Sequence, residues 1–364
     1  MRGHLVIADI SGYTRFLTDS ELDHANGIVS DLLNSIVNAM QTPLAVSNIE
    51  GDAVFMYGEM ADGMSGQTIV ESVELIYCAF ASALESMVLN TTCQCNACVN
   101  ISSLGLKIVM HCGEYAKSTV GTMTMLSGPD VIAVHRLLKN QVVEDTGIED
   151  YLLITRACVE DLGVESIVQS WIPHTEEYDH IGRVEGYVSS LRDVFEFLQR
   201  QTEIKVLQSD AWVEVREHTV APPAVVWDHI IDPLKRMQWL NAYGMDIHGA
   251  TDGRVGAGTE FHCAHGDNEM VIFTILDMRP YEYITVLMQF TEESVVKYTT
   301  YLIPSGSGTR VLLCAEAPRR VNGEVFPEEF ASENREAYFD LMAGASAAMT
   351  QLADKVVESH APIG

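Results

Sequence analysis

Asp9-Ile10-Ser11-Gly12-Tyr13-Thr14-Arg15-Phe16, answered further on by Glu50-Gly51-Asp52-Ala53-Val54, organises the first half of the chain. Two apolar runs of strand length, Leu5 to Ala8 and Ala53 to Tyr57, each meet an aspartate at one end, with turn-forming residues beside it. Nothing apolar requires a carboxylate at either place. Side by side in a sheet, Asp9 and Asp52 would offer hard oxygen ligands of the kind that Mg2+ or Mn2+ takes in phosphate chemistry.

The pair resembles the metal-binding elements of class III nucleotidyl (adenylate/guanylate) cyclases, where a first strand runs into such an Asp-Ile-Ser-Gly-Tyr-Thr segment and a later hairpin carries Gly-Asp-Ala-Val-Phe. The two aspartates stand 43 residues apart, which suits that family's strand, helix, strand layout. The resemblance covers Gly3 to Leu191. It implies an α+β, ferredoxin-like cyclase domain in a homodimer, with active sites between the two subunits. It also implies that Asp9, the Ile10 carbonyl and Asp52 hold Mg2+ or Mn2+ against a nucleoside triphosphate.

Composition sets the outer bounds. With 364 residues, 47% hydrophobic and 20% charged, the chain is globular and long enough for two domains. Its formal charge of −29 disfavours nucleic acid and anionic membrane surfaces. An anionic nucleotide would then need bound cations to approach, as a metal-dependent site provides. The first residues resemble neither a signal peptide nor a membrane span, so the expected location is the cytoplasm, with no membrane span.

From Ser20 the apolar spacing predicts a helix to Met40, with Ser20 and Asp23 as its capping pair. A hairpin, Leu44 to Ser47 with Ala53 to Tyr57, and a second helix from about Thr68 to Leu89 complete the opening order of a ferredoxin-like unit. The loop that follows, Thr92-Cys93-Gln94-Cys95-Asn96-Ala97-Cys98, crowds three of the eight cysteines into six residues. Such a cluster cannot form several unstrained disulfides but can wrap three thiolates around a structural Zn2+. For the fourth ligand, Cys78, Cys112 and a histidine brought in by the fold all remain open.

Leu104 to Cys112 reads as a strand ending His111-Cys112-Gly113, which resembles the Gly-Ile-His-Xaa-Gly strand of the cyclases; His111 is expected to be a packed histidine. Val120 to Leu126 reads as a hairpin strand. Gly128-Pro129-Asp130-Val131 opens a helix that resembles the family's transition-state helix. Arg136 falls on its arginine position, which implies a catalytic role from a second subunit, whereas Ile132 occupies the asparagine position. The base-reading pair is altered too, since Asn48 stands at the lysine position and Met125 at the acid position. The resemblance implies a phosphate-binding residue near the last strand, where His180 and Arg183 both qualify. Asn48, His180 and Arg183 are therefore the nucleotide-contacting residues expected.

A helix from Ser189 to Gln201 closes a first domain of residues 1–198, with the cysteine-rich insert at 93–98. Residues 199–207 read as linker and residues 208–364 as a second domain. There a strand from Ala211 to Val220, the helix-starting run Ala221-Pro222-Pro223-Ala224-Val225-Val226-Trp227, a glycine-rich turn entering a strand at Gly253 to His262, four more antiparallel strands and a helix from Glu328 to Val357 follow in order. This order resembles the START-like, or SRPBCC, helix-grip family, and implies a curved sheet gripping the long helix around a cavity for a lipid or other hydrophobic small molecule. Trp227, Trp239, Phe261, His262, Phe273, Met288 and Tyr301 are the expected lining. His262 and His265 near Asp267 form a weaker metal or acid-base motif.

The resulting expectation is a divergent class III cyclase-like protein, binding or cyclising a triphosphate with non-standard base recognition under control of a hydrophobic-ligand domain. The alternative is a catalytically degenerate cyclase-like scaffold in a lipid-binding or sensing protein.

Overall fold

The computed structural model describes residues 1–59, 63–120, 123–266, 269–291, 293–306 and 308–359. The chain divides into two compact units, Met1–Gln201 and Thr202–Gly364. In the first, β1 (Arg2–Ser11), α1 (Tyr13–Thr18), α2 (Leu22–Ala39), β2 (Leu44–Glu50), β3 (Ala53–Glu59), α3 (Gly66–Asn90), α4 (Asn96–Val99) and β4 (Gly105–Glu114) come in sequence. Then follow β5 (Ala116–Val120), β6 (Met123–Ser127), α5 (Pro129–Leu137), α6 (Val142–Thr146), β7 (Tyr151–Thr155), α7 (Arg156–Leu162), β8 (Ile172–Tyr178), β9 (Gly182–Ser190) and α8 (Leu191–Arg200).

Seven strands form one sheet in the order β2-β3-β1-β4-β7-β9-β8. Its first four, all antiparallel, are the βαββαβ order expected of a ferredoxin-like unit. β7 then adds in parallel to β4. Strand alternation decides the two faces. Val6, Ala8 and Ile10 enter the core under α2 and α3, while Leu5 and Ile7 join Phe55, Val109 and Val134 in the core under α5. Asp9 follows Leu5 and Ile7 onto the α5 face, and this places the site.

Helix α3 is long and apolar enough to cross a membrane by composition. Its apolar side chains, among them Ile69, Val73, Ile76 and Phe80, are instead buried in the core beneath the sheet. The predicted Ser20–Asp23 capping pair is not formed: the N-cap of α2 is Glu21, without a side-chain cap bond. The Glu21 carboxylate accepts from the Ala97 N–H at 3.1 Å instead, tying α2 to the cysteine loop. The expected strand Val120 to Leu126 runs partly outside the described residues; β5 and β6 make a separate two-stranded sheet.

The second unit contains β10 (Val213–Thr219), α9 (Pro223–Ile231), α10 (Pro233–Leu240), β11 (Gly244–His248), β12 (Glu260–Gly266) and β13 (Glu269–Arg279). It continues with β14 (Tyr283–Gln289), β15 (Ser294–Ser305), β16 (Gly308–Ala315), β17 (Arg319–Arg320) and α11 (Glu328–Ser359). The sheet order is β10-β16-β15-β14-β13-β12-β11, antiparallel throughout, with β17 on β15. The long helix α11 packs against β10, α9 and α10. Asp354 fixes its register by accepting from the Thr219 hydroxyl and from the Val220 N–H. β11 is an edge strand that the sequence pattern does not announce, because three of its five residues are exposed.

Residues 204–206, read from sequence as linker, are held within the second unit. Ile204 N–H donates to Asp277, Val206 N–H to the Thr299 hydroxyl, and the Tyr301 hydroxyl to the Val206 carbonyl. Val206 is buried.

Candidate functional site

The first site is built at the β2–β3 turn. Glu50 pairs with Ala53 across a two-residue turn, and Gly51 takes its first position at φ 67°, a conformation that glycine adopts at low cost. Asp52 is thereby placed beside the end of β1, where the Ile10 N–H donates to the Asp52 carbonyl at 3.1 Å. Gly12, just beyond β1 with φ 82°, lets the chain pass the Ser103 carbonyl, which a Cβ would meet at 2.7 Å. Burial first, and the Asp9 carboxylate second, push the Asp52 carboxyl above its usual range. The two expected metal carboxylates are therefore neighbours.

Sequence reading missed Lys107. It lies directly opposite Asp9 in the β1–β4 register, with Nζ 3.1 Å from Asp9 Oδ2. The same ammonium donates to the Leu138 carbonyl at 3.1 Å, at the C-terminal end of α5, where a cation is favoured. One Asp9 oxygen is thus engaged by a protein cation. Among the described residues, no third Asp, Glu or His side chain closes on the pair at metal-ligand spacing. The donor set remains hard oxygen, and it suits one divalent ion held by Asp52, the free edge of Asp9 and a backbone carbonyl such as that of Ile10.

The remaining predicted nucleotide residues are distributed differently. Asn48 is exposed, its amide donating to Glu50 at 3.3 Å and its oxygen accepting from the Ile49 N–H. Glu50 in turn lies 3.8 Å from His135 of α5, whose ring stacks edge-on with Phe55. Arg136 and Ile132 are both exposed, one turn apart on the outer side of α5. His180 and Arg183 occupy the β8–β9 turn and its edge, with Arg183 paired to Glu185 at 2.8 Å. The strand registers put that turn at the opposite end of the sheet from Asp9 and three to four strands away. Within one chain, His180 and Arg183 do not join Asp9 and Asp52. Their spacing in sequence carried no information about which end of the sheet they reach.

His111 is the packed histidine expected: it is buried, with Nδ1 2.9 Å from the Thr155 hydroxyl and Nε2 3.4 Å from Asp130. Cys112 forms a disulfide with Cys158 and so is not a fourth ligand of the cysteine loop. The side chain that the fold brings to the three thiols is His24, in the first turn of α2. The ligand atoms of His24, Cys93, Cys95 and Cys98 lie within 4.8 Å of one another.

The second unit holds a cavity of about 560 Å³. Trp239, Phe273 and Met288 line it as the sequence suggested, with Ile284, Val286 and Leu313. The other expected lining residues serve elsewhere. Trp227 and Phe261 are fully buried core side chains, and Tyr301 holds Val206. His262 pairs with Glu260 at 3.0 Å and packs on His248. Asp267 lies outside the described residues, while His265 faces the cavity. Arg236, unmarked in the sequence reading, is buried in the cavity wall. Its three-residue spacing from Trp239 on one helix face was the signal available.

Known proteins resemble the two units separately. Residues 29–146 match the family model "Protein of unknown function (DUF2652)". Residues 220–354 match that of "Activator of Hsp90 ATPase homolog 1-like protein". An uncharacterized protein of Mycobacterium tuberculosis, Rv2561/Rv2562, is 28% identical over 163 residues, covering 45% of this chain and 73% of the relative. Among solved structures, a bacterial light-regulated adenylyl cyclase is similar at 14% identity and TM-score 0.39, covering 55% of this chain and only 57% of the cyclase. The guanylyl cyclase Cya2 is similar at 12% identity and TM-score 0.40, with 52% and 92% coverage. The first unit thus carries a ferredoxin-like βαββαβ sheet extended by three strands, and the second an antiparallel sheet with a long C-terminal helix.

Proposed function

We propose that the protein senses a hydrophobic small molecule, which the helix-grip unit encloses and the cyclase-like unit reports through contact with a second copy of the chain. The observation that carries this reading is the cavity of about 560 Å³ walled by aromatic and aliphatic side chains, a size and lining typical of small-molecule sites. In the first unit, Asn48, Met125 and Ile132 supply none of the polar contacts that purine-selecting cyclases make through those positions. Met125, Ile132 and Arg136 are exposed, which agrees with a surface that meets another subunit. Native mass spectrometry of the purified full chain, followed by organic extraction, tests the reading. A copurified apolar compound released on denaturation supports it; a protein that neither carries nor takes up any apolar compound refutes it.

A second reading, metal-dependent binding or cyclisation of a nucleoside triphosphate, is favoured by one observation: Asp9 and Asp52 are adjacent, and the Asp52 carboxyl is held above its usual range by burial and by its neighbour. A divalent ion would relieve that repulsion and supply the charge that phosphoryl chemistry needs. Arg136 of a second copy would then act on the triphosphate. Incubation with each of the four ribonucleoside triphosphates and Mn2+ decides this. A cyclic nucleotide that disappears in Asp9→Asn and Asp52→Asn establishes the enzyme; unreacted triphosphate in all four mixtures removes it.

A further inference from the structure

The cavity of the second unit contains a buried cation that forms no ion pair among the described residues. Arg236, on α10, is 1% exposed and lines the cavity. Its Nη1 donates to the Ile230 carbonyl at 3.1 Å, while Nε and Nη2 make no hydrogen bond among the described residues. The rings of Trp239, Phe261 and Phe273 lie 5.1, 4.8 and 4.8 Å from its guanidinium carbon. Cation–π contact offsets part of the desolvation but satisfies no N–H group. The nearby carboxylates are committed: Asp228 to Lys235, and Asp232 to the Lys235 N–H as the cap of α10.

A guanidinium cannot escape such burial by losing its proton. Nε and Nη2 present parallel N–H groups along one edge of the plane, the fork that a carboxylate meets with both oxygens. The same wall shows two more unpartnered polar atoms, His265 Nε2 and Ser346 Oγ. Tyr298 lines it too: burial raises the pKa of its phenol, and the adjacent Arg236 guanidinium, by charge and hydrogen bonding, draws it part of the way back. Glu269 and Asp340 also line the cavity, and both are exposed; they oppose entry of a highly charged anion while leaving a monoanion with an apolar body free to pass.

We propose that the ligand of this cavity is an amphipathic monoanion, its carboxylate seated on Nε and Nη2 of Arg236 and its apolar body lying against Phe273, Ile284, Val286 and Met288. This rests on the cavity being a ligand site at all, so the test separates the two. Calorimetric titration of the full chain compares decanoate with decan-1-ol, equal in chain length and different in head charge. The expected result is a preference for the acid of about tenfold or more, from a charge-assisted bidentate pair. Arg236→Met is expected to abolish that preference and keep decan-1-ol binding. Equal affinity of wild type for acid and alcohol overturns the anion inference while leaving the apolar cavity standing. Failure of both compounds to bind overturns the cavity reading itself. Where Arg236→Met does not fold, the wild-type ratio alone decides.

A second inference stands on separate residues. Nδ1 of His24 is 3.2, 3.8 and 3.9 Å from the sulfurs of Cys95, Cys93 and Cys98. Tetrahedral zinc with bonds of about 2.3 Å to sulfur and about 2.0 Å to nitrogen sets its ligand atoms roughly 3.5 to 3.8 Å apart; the His24–sulfur distances straddle that spacing, and all four atoms lie within 4.8 Å of one another. We infer that His24, Cys93, Cys95 and Cys98 bind Zn2+, and that the site is structural because four protein donors leave no open position. It would pin the first turn of α2 to the loop after α3. The Glu21 bond to the Ala97 N–H braces that loop from the same turn.

Elemental analysis of the full chain, expressed with zinc and dialysed, is expected to give about one zinc per chain. Cobalt substitution is expected to show the intense absorption of a thiolate-rich tetrahedral centre, weakened and shifted in His24→Ala. Zinc-free protein whose three loop thiols alkylate at one rate with and without added Zn2+ overturns the assignment. Should His24→Ala fail to fold, the wild-type cobalt spectrum and zinc content remain decisive.

Discussion

Lys107 and Arg236 show how a single cation sets the character of a site. Lys107 lies between the Asp9 carboxylate and the end of α5, so any divalent ion must share Asp9 with an ammonium already there. Arg236 is enclosed by aromatic rings and left with two idle donors. The buried histidines make a prediction at the same scale. Burial pushes His4, His111 and His229 below the ordinary value of 6.5, so each is neutral in the fold and takes a proton more readily once unfolded. The unfolded chain therefore binds more protons below that value. Their contribution is complete above pH 6.5 and is lost as pH falls beneath it. Melting temperature should drop between pH 7 and pH 5 by about 2–4 °C for each kcal/mol lost. His229→Gln should flatten this for the second unit; an unchanged pH slope in that variant would show that the acid sensitivity comes from other groups.

At the scale of elements, α3 depends on a close approach at its first residue. A Cβ on Gly66 would stand 2.3 Å from the Leu162 carbonyl and 2.4 Å from Val164. Backbone cannot yield there without moving α7, so Gly66→Ala should destabilise the first unit by about 1–3 kcal/mol, although alanine is the better helix former. Urea denaturation checks the sign, and a stabilised variant would mean that the α3 start is not packed as described. The elements themselves were largely legible. The strands before and after the two aspartates, the helices from Leu22 and Gly66, and the long helix from Glu328 all carry a periodic apolar pattern, and periodicity survives without knowledge of partners. The misses are contact-dependent: Glu21 caps no backbone of α2 because it serves the cysteine loop, and β11 is half exposed at an edge.

For the whole molecule, the boundary after Gln201 makes a prediction about dissection. A fragment of residues 202–364 retains Val206 and its bonds to Thr299 and Tyr301, whereas one of residues 208–364 loses them. The shorter fragment should be less stable by roughly 2–4 kcal/mol, from an unfilled Val site, a Tyr301 hydroxyl left without the Val206 carbonyl and a Thr299 hydroxyl left with Thr285 alone. Equal denaturation midpoints would place the true start of the second unit after residue 207. Residues 1–201 should fold as an independent unit, since their core is closed on both faces of the sheet.

Sequence alone determined what depends on pattern: two α+β halves, the aspartate pair at the ends of two strands, and a cysteine cluster too tight for disulfides; the cavity of the second half was implied only by resemblance. Only the tertiary structure decided what depends on strand order and on contacts between distant residues. It brought His24 to the three thiols 69 to 74 residues away, set Lys107 against Asp9 by register, sent His180 and Arg183 to the far end of the sheet, and enclosed Arg236 with no counter-ion among the described residues. Periodicity reports which face of an element is apolar, but which polar groups meet across the fold is fixed only when loops close and strands pair.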